Sequence, residues 1–96
     1  MIEVRQTEDF EVWFDGLRDR EARFRVVARI RRLSLGNLGD TRSVGGGVSE
    51  LRIAHGPGVR VYFRRLGSDS VVLLTGGDKS TQRRDIRRAK ALARAL

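Results

Sequence analysis

Glu50, Arg52, Arg60, Tyr62 and Arg64 fall at alternating positions of two apolar-patterned runs, and a third run is followed by Lys79 and Asp85. Guanidinium groups bind phosphate through paired donors, an ammonium adds a point charge, and an aromatic ring stacks an unpaired base. Carboxylates in the same group supply ion-pair partners or a proton acceptor. Such a set suits the phosphates of single-stranded RNA better than a duplex, because only splayed bases reach an aromatic ring. The competing reading is structural: Glu50 and Arg52 pair across strands, and Tyr62 is half-buried beside them.

Strands must position these groups. In Val48 to Ile53, Leu51 and Ile53 share one face while Glu50 and Arg52 share the other. In Val59 to Leu66, Val59, Val61 and Phe63 oppose Arg60, Tyr62 and Arg64 in the same way. His55-Gly56-Pro57-Gly58 predicts the turn between them, and Gly67-Ser68-Asp69 the next. Val71-Val72-Leu73-Leu74 is apolar at successive positions, which predicts a strand, Val71 to Thr75, covered on both faces in the middle of a sheet. Three strands with short connections predict an antiparallel meander. Gly76-Gly77 then predicts a tight turn, with Asp78, Ser80 or Thr81 capping a last helix from about Thr81 to Ala95. On that helix Ile86, Ala89, Leu92 and Ala93 can pack while Arg83, Arg84, Arg87 and Arg88 face outward.

Upstream, Ile2 to Arg5 reads as a short strand and Thr7 as a helix cap. Phe10, Trp13, Phe14 and Leu17 recur at helical spacing, so this aromatic stripe belongs to a core. A second helix, Arg20 to about Leu35, turns Val26, Val27, Ile30 and Leu33 inward and Arg20, Arg23, Arg25, Arg29, Arg31 and Arg32 mostly outward, giving a helical hairpin. Gly36 to Asp40 stops it. Thr41 to Gly47 reads as a flexible connection, basic at Arg42; its glycines lack the Lys-Ser/Thr of a P-loop.

Ninety-six residues make one domain, residues 1–96. The 20 Lys and Arg exceed the 12 Asp and Glu, giving a formal charge of +8 and a pI near 11.5, so a polyanion is the natural partner. With no cysteine and a single histidine, neither a disulfide framework nor a thiolate or histidine metal site is expected. The short apolar runs and the absence of a signal pattern predict a cytoplasmic protein that does not engage a membrane.

Three longer stretches, Glu50-Leu51-Arg52-Ile53, Gly56-Pro57-Gly58-Val59-Arg60-Val61-Tyr62-Phe63 and Leu74-Thr75-Gly76-Gly77-Asp78-Lys79-Ser80-Thr81-Gln82 with Asp85-Ile86, are similar to those of the addiction-module killer proteins. So are Leu17-Arg18-Asp19 and Gly36-Asn37-Leu38-Gly39-Asp40. These proteins form a HigB-like branch of the RelE/ParE superfamily, the toxins of bacterial type II toxin–antitoxin pairs. The resemblance covers almost the whole chain, and its specificity lies in the ordered combination.

The resemblance implies an α+β fold in which two N-terminal helices pack on a mostly antiparallel sheet of about four strands, closed by a C-terminal helix. It implies a ribosome-dependent mRNA endoribonuclease that inhibits translation, needs no metal or other cofactor, and is neutralised by a cognate antitoxin with a helix-turn-helix DNA-binding domain. Its expected catalytic set is Arg60, Lys79, Tyr62 and Asp85; Arg42, Arg52, Arg64 and Arg83 are expected to bind RNA. Arg60 and Lys79 would stabilise charge building on the phosphate attacked by the RNA 2′-hydroxyl. Val59 stands where relatives commonly carry an aromatic. Because Arg and Lys ordinarily titrate above about 10, the general base would be Asp85, Glu50, His55, an ionised Tyr62 or a group of the ribosome. A ParE-like gyrase inhibitor and a non-catalytic relative binding only RNA or its antitoxin are the alternatives.

Overall fold

A computed structural model describes the chain from Met1 to Leu96 as three helices and five strands. In order they are β1 (Glu3–Gln6), α1 (Glu8–Asp15), α2 (Arg20–Ser34), β2 (Thr41–Gly45), β3 (Val48–Ile53), β4 (Val59–Leu66), β5 (Ser70–Asp78), a 3-10 turn (Lys79–Thr81) and α3 (Gln82–Arg94). The strands form one sheet in the order β1-β5-β4-β3-β2, antiparallel except where β1 runs parallel to β5. The fold is therefore α+β, with helices on both faces of a mixed sheet. No helix is long and apolar enough to cross a membrane.

Side-chain caps start the helices. Thr7 Oγ1 accepts the Phe10 N–H at 3.1 Å, and the Asp19 carboxylate accepts those of Glu21 and Ala22 at 2.9 and 3.2 Å. Asp78 opens the 3-10 turn, accepting the Ser80 N–H at 2.8 Å. The inward residues of the strands then fall into two clusters. Leu51, Ile53, Val59, Val61, Phe63, Val71 and Leu73 pack with Phe10 of α1 and Ala22, Val26 and Leu33 of α2. On the opposite face, Val48, Tyr62, Val72 and Leu74 pack under Ala89 and Ala93 of α3.

The meander of β3, β4 and β5 follows the alternation in the sequence, and β5 is buried on both faces from Val71 to Gly76. Thr41 to Gly47 is not a loose connection: Thr41–Gly45 pairs with β3 as the fifth strand, turning back at Gly45 to Gly47, all with positive φ. Val27 points away from the core and is 54% exposed. Two of the arginines expected to be outward are structural. Arg23 donates to the carbonyls of Phe14 and Leu17 and lies 4.4 Å over the Phe14 ring. Arg29 donates to the carbonyl oxygens of Arg52, Leu38 and Asp40, pinning α2 to β3 and to the loop before β2.

Gly76 and Gly77 also differ from expectation. They lie inside β5, and neither has a positive φ, so no turn requires them. The register shift between Tyr62 and Phe63 makes Leu74 an extra residue opposite β4. Beyond this bulge, Gly76 faces the Trp13 ring of α1 and Gly77 faces the Asp85 carboxylate of α3. A Cβ at either position would overlap those groups. Glycine is needed here for close approach, and Gly76→Ala and Gly77→Ala are each expected to lower stability by about 1–3 kcal/mol, the usual cost of overpacking. Urea unfolding checks this; wild-type midpoints for both would show that Trp13 and Asp85 have room to move.

Candidate functional site

The α3 face carries two rows of polar side chains across the strands. Pairing places Arg42 opposite Glu50, and Glu50 opposite Tyr62. One step toward the hairpin turn, Arg52 lies opposite Arg60, and Arg60 opposite Gly77. Helix α3 covers the first row and leaves the second at an open margin.

The covered row is a buried polar network. Glu50 is fully buried, with Oε1 accepting from Arg42 Nε at 3.0 Å and Oε2 from Tyr62 Oη at 3.2 Å and Gln82 Nε2 at 2.8 Å. Burial alone would raise its carboxyl, but the hydrogen bonds from Gln82, Arg42 and Tyr62 and the Arg42 charge hold it below the usual carboxylate range. Glu50 is therefore a buried anion that organises its neighbours. Burial, then the charge and hydrogen bond of Glu50, push the Tyr62 phenol upward.

This corrects two expectations. With no exposed surface, Tyr62 cannot stack a base, and its raised phenol cannot ionise to serve as general base near neutral pH. Asp85, 6% exposed, sits behind Gly77 in the first turn of α3 and accepts from Thr81 Oγ1 at 2.5 Å and Arg84 Nε at 3.4 Å. It closes the contact between α3 and β5 and does not line the cleft described next.

The open row lines a cleft of about 490 Å³ at the β3–β4 turn, formed by Asp40, Arg52, Ala54, Pro57, Arg60 and Lys79 together with Ile53, Gly56 and Gly58. Here the structure brings together Arg60, Lys79 and Arg52. The Arg60 side chain is only 13% exposed; Nη1 donates to the Gly58 carbonyl at 2.6 Å, and Nε stands 3.8 Å from Glu50 Oε2. That Nε is buried without a hydrogen-bond partner. Arg60 is thus held at the rim of the network with bonding capacity to spare. Lys79 is exposed, and its backbone N–H reaches the Pro57 carbonyl at 3.4 Å, so the 3-10 turn is tied to the β3–β4 turn. Arg52 grips Asp40 Oδ1 with Nε at 3.2 Å and Nη2 at 2.7 Å.

Three other basic candidates lie elsewhere. Arg42 is spent on Glu50, outside the cleft. Arg64 donates to the Ala93 carbonyl at 2.9 Å and helps close the C-terminal end of α3. Arg83 is exposed on α3, away from the cleft.

The lone histidine also has a place that the turn sequence did not suggest. His55 Nε2 lies 2.9 Å from Asp19 Oδ2, joining the β3–β4 turn to the capped start of α2. Its hydrogen bond and that of the Ala22 N–H hold the Asp19 carboxyl below its usual range. Sequence reasoning missed Asp40, because nothing in its turn motif shows that the chain returns beside β3. It missed Gln82, because an amide in a basic helix carries no sign of a buried acceptor beneath it.

No family model matches the chain. It is 46% identical over 95 residues to an uncharacterized protein of Haemophilus influenzae, an alignment covering 99% of this chain and 96% of that one. At that identity over nearly the full length of both, the chain belongs to the same protein family as the Haemophilus influenzae protein.

Proposed function

We propose that the chain is the toxin of a type II toxin–antitoxin pair of the RelE/ParE superfamily, a ribosome-dependent endoribonuclease that cuts mRNA in the cytoplasm. The observation that carries this reading is the meeting of Arg52, Arg60 and Lys79 in one open cleft of a chain with net charge +8. The anchored Arg60 guanidinium supports it further, since a fixed donor costs no reorganisation when charge develops.

In the proposed reaction the 2′-oxygen of one nucleotide bonds to its own 3′-phosphorus while the bond from phosphorus to the next 5′-oxygen breaks. The products are a 2′,3′-cyclic phosphate and a 5′-hydroxyl. The phosphorus passes through a five-coordinate state with added negative charge, which Arg60 and Lys79 meet directly. Arg52, braced by Asp40, holds the flanking backbone. Asp40 is the carboxylate lining the cleft and is engaged by Arg52, so the acceptor of the 2′ proton is assigned to the ribosome. The departing 5′-oxygen takes a proton from the Lys79 ammonium. The proposed antitoxin would carry a helix-turn-helix domain and meet this basic chain with an acidic segment.

The test is to induce the protein in growing cells and map new mRNA 5′ ends. Cuts phased to codons are expected. DNA damage without such cuts would point to gyrase instead, and neither response would mark a protein that only binds.

A further inference from the structure

A second hollow of about 470 Å³ lies beside the phosphate cleft and shares Pro57 with it. We propose that this cavity receives an unstacked nucleobase of a single-stranded RNA whose backbone follows the Arg52–Arg60–Lys79 cleft. The path of the strand rests on the RNA reading above; the base site itself does not require cleavage.

Its volume lies in the range of about 300–1,000 Å³ typical of small-molecule sites. Its walls combine the Trp13 indole with Leu17, Pro57 and Val59, while Arg18 and Arg84 bring guanidinium groups to it. The indole is not a loose surface group. It is seated where Gly76 leaves out a side chain, and the Phe10 ring tilts against it at 5.6 Å. A fixed ring needs little ordering when a planar ligand arrives.

The polar wall is fixed too. Asp19 is held as a carboxylate, which only accepts, so His55 Nε2 donates to it. In the neutral ring Nδ1 is then an acceptor, suited to an amino or imino N–H on a base edge. The Arg84 side chain is 73% exposed and makes one long contact, to Asp85 at 3.4 Å, so it is free to follow a phosphate. An apolar peptide would leave these polar groups unmatched, whereas a base with its phosphate uses the ring, the edge and the charge together.

Trp13 is the single tryptophan, so its emission reports this cavity directly. The whole chain is titrated at low salt with a short mixed-sequence single-stranded RNA, an abasic ribose-phosphate oligomer of equal length, and adenosine and guanosine monophosphates. The RNA is expected to change Trp13 emission saturably, and the abasic oligomer to leave it unchanged while still binding by anisotropy. Gly16→Leu narrows the cavity at a backbone position with φ −79, which any residue adopts. Arg84→Ala removes a cation from the same cavity. Each should shift the RNA midpoint about tenfold, within the range of losing one base contact.

Flat emission with RNA overturns the proposal, as does an equal response to the abasic oligomer. A response to the free monophosphates but not to RNA would reassign the cavity to a free nucleotide and overturn the strand path. Since the readout needs neither ribosome nor cleavage, the two readings fail separately. A responding Trp13 in a protein that cuts no mRNA keeps the base site and sinks the nuclease, and normal cleavage with silent Trp13 does the reverse.

Discussion

Alanine at Arg60 or at Lys79 is expected to lower single-turnover cleavage on programmed ribosomes by about 10²-fold or more, the size typical of losing one donor to a developing anion. The two variants should differ in stability. Lys79 is exposed and makes no side-chain hydrogen bond or ion pair, so Lys79→Ala should melt like the wild type. Arg60 is mostly buried, so Arg60→Ala should melt a few degrees lower through lost packing of its stem and its bond to the Gly58 carbonyl. Glu50 would still keep three donors, and the sheet should survive.

The matched control is Arg87→Ala. Arg87 is exposed on α3 outside the cleft and would offer only diffuse attraction to an RNA bound there. Arg88 would serve less well, since it holds Asp9 at 2.8 and 3.0 Å and ties α3 to α1. Near-normal cleavage by folded Arg60→Ala and Lys79→Ala proteins would remove this cleft from the chemistry, whatever the chain resembles.

The strands bearing the cleft were legible because period-two alternation tells which residues share a face. Arg52 and Arg60 follow that rule and are paired neighbours. Alternation does not tell which stretch of a face another element covers. Glu50 and Tyr62 have the same pattern as Arg52 and Arg60, yet α3 descends on the first pair and leaves the second open. The sequence of α3 holds a hint, since its packing positions include the small Ala89 and Ala93, which let the helix approach the sheet closely. The glycine pair near the end of β5 misled for a related reason. Gly-Gly signals either a turn or a close approach, and only the partners, Trp13 and Asp85, decide which. Strand β2 was hidden because its glycine-rich hairpin resembles a linker until β3 is available to pair with it.

The buried anion predicts how the fold responds to acid. Glu50→Ala would leave the Tyr62 hydroxyl and the Gln82 amide without their acceptor and Arg42 without its buried counter-charge. A loss of about 3–5 kcal/mol is expected, as for breaking other buried charge pairs. Glu50→Gln keeps the shape and removes only the charge, so it isolates the titration. The folded carboxyl is held below its ordinary value of 4.5, so the unfolded chain takes up the proton more readily. The contribution of the carboxylate is therefore fully present above that value and fades as pH falls toward and through the lower folded one. Asp9, Asp19 and Asp78 are lowered in the same direction and contribute to the acid limb of both proteins. The difference between wild type and Glu50→Gln cancels them. Urea unfolding at neutral pH and at steps down through the acid range should show a gap that is widest near pH 7 and narrows with acid. A gap that stays constant would mean that the Glu50 carboxyl binds its proton equally well in the folded and unfolded chain; a wild type that gains on Glu50→Gln as pH falls would mean that Glu50 is protonated in the folded chain, and the network around Arg60 would then have a neutral centre.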